Sequence, residues 1–346
     1  MDYAGVNAKI QAMKGRLLDA GDYGALCAQP TVGAVAEKLR ESPSYQSALS
    51  YLEGDELHRG MIEQSLMLSL AADFRNIYNF IGDFKIRRYL SALFLNFELG
   101  IIKKLLCMVY DERDIGSVFT DELSRLLGDD LEVDIGKLKN SKTVPEFIDN
   151  LKGTGMHSML ASAYTEQRSL FEMETQLDLY YYMNLSKSQT KWLAGGDLAA
   201  MAEIKGIEVD LRNIMWVWRL KSYYKLPDIM IYAHLIPLSK RLRKEALVAM
   251  VQAKSVPELE SLIAQSPYAG VFDGKESLEM SFGREMARVY KRALAMRPNS
   301  LAAASLYLFA KEAEVSNIVS VVEGVRYKLA PEEIMKFLNI LGARSA

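Results

Sequence analysis

Cysteine, histidine and proline are all scarce in this chain. Cys27 and Cys107 are the only cysteines among 346 residues, too few for a disulfide framework or a cysteine-based zinc site. That fits a reducing compartment. His58, His157 and His234 are the only histidines. They are spread along the chain with no partner at a spacing such as HExxH, so ordinary structural or surface roles are expected for them. Nucleophile-elbow, Walker A and dinucleotide fingerprints are missing too; Gly153–Gly155 and the Gly195-Gly196 pair are isolated glycines. No cofactor and no catalytic residue is expected.

Long apolar runs are also absent. A span needs roughly 18 to 20 uninterrupted apolar residues. The best stretches, around Ile77–Met108 and Leu211–Ile236, are broken by Asp83, Lys85, Arg87 and Arg88, or by Arg219, Lys221 and Asp228. The amphipathic start, MDYAGVNAKIQAMKGRLL, does not read as a signal peptide. The expectation is a soluble body that reaches a membrane only through a partner. One-sided charge is lacking as well: 42 Lys and Arg stand against 44 Asp and Glu, a formal charge of -2. Nothing in that balance draws nucleic acid.

What the chain does have is helical periodicity. Apolar residues recur at helical spacing over Glu56–Phe80, Phe84–Tyr110, Ser162–Leu185, Glu208–Tyr224 and Leu235–Gln252, and few runs alternate as strands do. With half of its residues hydrophobic, the chain is expected to be all-α with two or three compact units.

It also has a repeat. KSVPELESLIAQSPYAGVF (Lys254–Phe272) matches KTVPEFIDNLKGTGMHSML (Lys142–Leu160) and, more faintly, PTVGAVAEKLRESPSYQSAL (Pro30–Leu49). Ser255 and Thr143 can each cap a helix, with Glu258 and Glu146 returning toward the cap and a proline in the first turn. Thr31 caps the first copy, where Ala34 replaces the glutamate. Behind the caps lie the stripes Val32/Val35/Leu39, Val144/Phe147/Leu151 and Val256/Leu259/Ile263. Each helix ends at a breaker followed by an apolar anchor, Tyr45, Met156 or Tyr268.

Val32, Val144 and Val256 are 112 residues apart. ELGII (Glu98–Ile102), DLRNI (Asp210–Ile214) and EVSNI (Glu314–Ile318) follow the three valines by 66, 66 and 58 residues. Two signatures recurring in one order predict three related helical units, about 1–115, 116–228 and 229–346. The period is too long for tetratricopeptide or HEAT stacking, so each unit needs its own small core. The first and last helices are candidates to pack together.

Several clusters invite a chemical reading. Asp129, Asp130, Glu132 and Asp134 could hold a metal, but a solvated acidic turn is the simpler reading. Lys240, Arg241, Arg243 and Lys244 form one basic cluster. Arg284, Arg288, Lys291, Arg292 and Arg297 form another, with Arg284, Arg288 and Lys291 on one helical face. Such faces are either solvated or suited to an acidic protein surface or lipid headgroups. Leu177, Tyr180 and Tyr181 are placed on an inward stripe, with Tyr182 nearer the edge. Trp216 and Trp218 cannot share a face, so one is placed in the core and the other at a lateral contact.

The chain resembles the C subunit of the prokaryotic A-type/V-type rotary ATPases, a family that includes the d subunit of the eukaryotic V-ATPase. YAGVNAKIQAMKGRLL (Tyr3–Leu18) is similar to the family's opening, which closes on Lys-Gly-Arg-Leu-Leu. FELGIIKKLL (Phe97–Leu106) is similar to its Phe-Asp-x-x-Asn-Ile-Lys-x-Leu-Leu segment, with Glu98 for the acid and Ile101 for the usual Asn. GIEVDLRNI (Gly206–Ile214), AKEAEVSNI (Ala310–Ile318) and SVPELESLIAQSPY resemble later family segments. The resemblance implies a funnel-like, pseudo-threefold helical socket without an active site. It implies a peripheral place on the cytoplasmic face of a prokaryotic membrane. The partners would be the membrane proteolipid ring and the D and F subunits of the central stalk, in the service of ATP-linked proton or sodium transport. The alternative is a non-rotary helical scaffold; an enzyme seated on Asp129–Asp134 comes third.

Overall fold

A computed structural model describes residues 3–50, 57, 59–113, 125–127, 131–164 and 169–341. Every regular element among them is a helix. The short ones near the start are α1 (Ala4–Lys14), α2 (Ala20–Cys27), α3 (Val32–Arg40) and α4 (Gln46–Leu49). Two long ones follow, α5 (Arg59–Phe80) and α6 (Phe84–Tyr110), and then the short α7 (Ile135–Lys139), α8 (Val144–Asp149) and α9 (Gly155–Ala163). The pattern of long pair and short group recurs with α10 (Leu170–Trp192) and α11 (Gly195–Ser222), then α12 (Asp228–His234), α13 (Lys244–Gln252) and α14 (Val256–Ala264). A third long pair, α15 (Leu278–Met296) and α16 (Ala302–Arg326), precedes α17 (Pro331–Met335).

Two compact units emerge from the contacts. The first joins Met1–Gly82 to Gly283–Ala346, and the second is Asp83–Phe282. In the first, the two ends of the chain build one core. Leu18, Tyr23, Leu26, Val35, Leu39, Tyr45 and Leu49 from the front pack with Ile318, Val321, Val322 and Val325 from α16. In the second, α6 and α10 run antiparallel. Phe84 meets Trp192 edge-on at 5.9 Å, and Lys103 pairs with Asp178 at 2.5 Å, so residues ascend on one helix as they descend on the other.

The capped helices form as their sequences direct. Thr31, Thr143 and Ser255 side chains accept the N–H of Ala34, Glu146 and Glu258 at 3.2, 3.3 and 3.3 Å. The returning glutamates reach one residue further back than expected: Glu146 and Glu258 accept from the N–H of Lys142 and Lys254. At six to nine residues these helices are too short to persist alone. Burial holds them: Val35, Phe147 and Leu259 are fully buried, as are the anchors Tyr45 and Met156, and Tyr268 nearly so. Full burial of each such side chain is worth about 1.5–3 kcal/mol. The leading valines are the exception, with Val32 and Val144 half-buried and Val256 exposed at the first turn.

Three expected helices differ. Leu235–Gln252 is not continuous: α12 stops at His234, residues 235–243 are irregular, and α13 starts at Lys244. Pro237 cannot donate within a helix, and the backbone N–H groups of Ile236, Lys240, Arg241 and Leu242 are claimed by side chains of α11. The helix expected from Ser162 instead starts at Leu170, where Ser169 and Glu172 form a reciprocal capping box. α11 begins at Gly195, well before Glu208.

Candidate partner-binding ends and the carboxylate latches behind them

The acid of each repeated signature is buried and grips backbone. Glu98 on α6 accepts the N–H of Glu132 at 3.1 Å and of Val133 at 2.7 Å. Asp210 on α11 accepts the N–H groups of Lys240, Arg241 and Leu242 at 2.9, 2.6 and 2.9 Å, and the Tyr268 hydroxyl at 2.6 Å. Glu314 on α16 accepts the N–H of Leu18 and the hydroxyl of Tyr45, both at 2.5 Å. Each long helix thereby fixes the segment that leads into a short-helix group. Tyr45 and Tyr268, the anchors of the capped helices, close two of the three latches.

The asparagine of the signature does a second fastening. Asn213 exchanges two hydrogen bonds with the backbone of Ile236, at 3.0 and 2.9 Å. Asn317 does the same with Asn339, at 3.0 and 2.8 Å. The loop after α12 also lies close on α11, where a Cβ on Gly206 would meet the Lys240 side chain at 2.8 Å.

The Glu314 latch carries an extra charge. Lys311 is fully buried, bonds Glu314 at 2.9 Å and the Tyr45 hydroxyl at 2.8 Å, and lies 3.9 Å from Asp73. Burial raises the pKa of Asp73 above the ordinary carboxylate value, while Lys311 and the Tyr307 hydroxyl pull it back.

The same three long helices each give way to a left-handed residue at or just past the end. α6 closes with the Arg113 N–H on the Met108 carbonyl at 2.8 Å and the Glu112 N–H on Val109 at 3.2 Å. α16 closes with Leu329 on Gly324 at 2.9 Å and Lys328 on Val325 at 3.0 Å. Both are Schellman turns. α11 ends more loosely, with Leu226 on Leu220 at 3.0 Å. Their left-handed residues are Glu112 (φ 55°), Lys225 (φ 52°) and Lys328 (φ 57°), the non-glycine residues with positive φ among those described.

Beside these turns sit exposed aromatic and apolar side chains. In the second unit, Tyr110, Phe171, Tyr223, Tyr224, Ile229 and Met230 are exposed. Phe171 stacks on Tyr224 at 5.7 Å and on His234 at 5.0 Å, which joins the end of α11 to the start of α10. The antiparallel pairing of α6 and α10 brings Tyr110 to that same end. In the first unit, Tyr327, Leu329 and Phe337 are exposed beyond α16. Folded chains rarely leave large apolar groups clustered in water without a partner to cover them.

The sequence model of the ATP synthase (C/AC39) subunit matches residues 6–337. The chain belongs to that family. It is 26% identical to the C subunit of the A-type ATP synthase of Halobacterium salinarum, an alignment covering 98% of each chain. It is 27% identical to the C subunit of the A-type ATP synthase of Pyrococcus horikoshii, covering 97% of this chain and 90% of that one.

The segments that resemble the C/AC39 family turn out to be the latch parts. Lys-Gly-Arg-Leu-Leu ends on Leu18, a donor to Glu314. The three acid signatures supply the acceptors, and SVPELESLIAQSPY ends on Tyr268, a donor to Asp210. The other residues singled out in the sequence go to separate places. Asp129, Asp130 and His58 lie outside the described residues. Glu132 takes the Tyr180 hydroxyl, and Asp134 caps α7, so these two carboxylates have structural work. His234 is buried with Nδ1 at 2.6 Å from the Met230 carbonyl; His157 is half-buried. No group of three or more His, Cys, Asp or Glu is placed to hold a metal among the described residues.

The basic clusters are partly spoken for. Lys240 and Arg241 both pair with Glu203, whereas Arg243 and Lys244 are exposed. Arg284, Arg288 and Lys291 are exposed along α15, and Arg288 pairs with Glu285 at 2.7 Å. The tyrosine stripe differs from expectation: Tyr181 and Tyr182 are buried and Tyr180 only half so. Tyr182 turns toward α11, its hydroxyl 3.4 Å from Glu208. Burial alone would raise the pKa of Glu208, but Lys205 and Arg212 outweigh it and hold it below the ordinary value. Trp216 and Trp218 are both half-buried, so neither is the core residue expected.

Proposed function

We propose that this chain is a non-catalytic socket component of an A-type rotary ATPase, joining the central stalk to the membrane proteolipid ring so that the two turn together. The observation that carries the reading is the exposed aromatic ends on helices that a repeated latch fixes in place. Torque passes through packed helices and surface shape, and needs no reactive side chain. The family match supports the setting.

In this reading the chain is a pseudo-threefold, funnel-like assembly of units 1–115, 116–228 and 229–346, and it works at the cytoplasmic face of the membrane. No helix among the described residues is long and apolar enough to cross a membrane, so attachment runs through partners. The exposed ends face the ring. Tyrosine combines an apolar body with a polar tip and suits the headgroup level, and Lys225 and Lys328 stand beside the tyrosines as cations that can snorkel there. The D and F subunits of the stalk are the other partners.

The test is native mass spectrometry of gently solubilised membranes, with the chain captured at endogenous level. The wild-type chain is expected with the ring and the stalk. The triple variant Tyr223→Ser, Tyr224→Ser, Ile229→Ser is expected to keep its helical circular dichroism and melting temperature, yet lose the ring. Absence of both ring and stalk from the wild-type sample, in conditions that preserve the rotary complex, sinks the coupling role and leaves a non-rotary scaffold.

A further inference from the structure

The three latches are unequal. Asp210 holds three N–H groups and a hydroxyl. Glu314 holds an N–H, a hydroxyl and the Lys311 ammonium. Among the described residues, Glu98 holds only the N–H groups of Glu132 and Val133. Met156 stands at the anchor place where Tyr45 and Tyr268 bring hydroxyls, and Ile101 stands where Asn213 and Asn317 fasten a further stretch of backbone. Tyr180 leans in from α10 toward Gly155, but its hydroxyl goes to Glu132.

No cation pairs with Glu98 among the described residues. On its own helix, Lys103 is taken by Asp178 of α10. From the segment it grips comes the Glu132 carboxylate, a like charge. From α10 comes the Tyr180 phenol. On α7, Lys137 pairs with Asp134, and on α8 the Glu146 carboxylate binds the N–H of Lys142.

We infer that Glu98 is a proton-responsive latch. When it ionises, the segment Leu131–Asp134 and the short helices α7–α9 behind it open more readily than the groups held by Asp210 and Glu314. The physical reason is a buried charge that no cation among the described residues compensates. Two backbone N–H bonds lower the cost of burying a carboxylate without removing it. Burial pushes the Glu98 pKa up to about 7, against the pull of those bonds, and the Glu132 charge adds to the rise.

The closed form therefore binds the proton more tightly than an open form in which Glu98 meets water. Acid favours closure. Opening gains as pH rises from about 4.5, the ordinary value, to about 7, and no more above it. The separation of the two values sets a ceiling of roughly 300-fold on the change in the opening equilibrium. This behaviour is independent of the coupling role.

Hydrogen–deuterium exchange of the full chain at pH 5, 6, 7 and 8, corrected for the intrinsic pH dependence of amide exchange, tests it. Protection of Glu132, Val133 and α7 should fall on the order of 100-fold across the range, while the amides at Leu18 and Lys240–Leu242 in the same sample should not follow. Glu98→Gln, neutral and nearly isosteric, should flatten the response. Glu132→Gln removes the like charge and should move the midpoint to lower pH, which keeps the test alive if Glu98→Gln does not fold. A flat response at Glu132 and Val133 in the wild-type chain, or an equal response at all three latches, overturns the inference.

Discussion

Glu112, Lys225 and Lys328 each occupy left-handed backbone at the close of a latch helix, where a Cβ crowds the following carbonyl at about 1–2 kcal/mol. Glycine removes that crowding but gives up roughly 0.5–1 kcal/mol of unfolded-state entropy. Each of Glu112→Gly, Lys225→Gly and Lys328→Gly should therefore stabilise the chain by about 0.5–1 kcal/mol, measured as the midpoint shift in urea denaturation. Destabilisation by any one of them would mean that the side chain makes a contact worth more than the strain. These positions were invisible in the sequence because helix ends of this kind are read from glycine, and none of the three is glycine.

At the scale of the element, Asp210 and Tyr268 separate two effects. Asp210→Ala leaves three buried N–H groups and a hydroxyl without an acceptor, and should cost at least about 3–5 kcal/mol. Tyr268→Phe leaves the carboxylate with its three N–H partners and should cost only about 1–1.5 kcal/mol. Chemical denaturation of both variants checks the ratio; equal costs would show that the hydroxyl, not the backbone grip, holds the loop after α12. The sequence disclosed both halves of this latch as separate repeated signatures. Capping residues and apolar stripes follow from local chemistry, so the short helices were legible from Thr31, Thr143 and Ser255. That the acid of one signature binds the tyrosine of the other was not, because Asp210 and Tyr268 are 58 residues apart and Glu314 and Tyr45 are 269 apart. The break between His234 and Lys244 had one local signal, Pro237, but helical spacing persists through it, and the Asp210 and Asn213 side chains that take its backbone N–H groups lie on another helix. The exposed aromatic end was likewise hidden, since Tyr110, Phe171 and Tyr224 lie far apart in sequence and the periodic pattern treats every aromatic as a core candidate.

For the whole molecule, the latches predict which parts of the chain can fold alone. The span 83–282 contains Glu98 and Asp210 together with every donor described for them, Glu132, Val133, Lys240–Leu242 and Tyr268. The span 1–82 contains Leu18 and Tyr45 but lacks Glu314, and 283–346 contains Glu314 and Lys311 but lacks Leu18 and Tyr45. Their shared core is divided in the same way, with Tyr23, Val35 and Leu39 on one piece and Ile318, Val321 and Val325 on the other. A fragment of residues 83–282 should therefore unfold cooperatively on heating with native-like helical circular dichroism. Neither 1–82 nor 283–346 should do so by itself, because half a core leaves its apolar stripe and a buried carboxylate or its donors exposed. Mixed together, those two fragments should gain helicity beyond the sum of their separate spectra. Cooperative melting of 1–82 alone would show that the front of the chain needs no latch from α16, and a non-cooperative 83–282 would show that the Glu98 and Asp210 latches are not sufficient to hold their short helices in place.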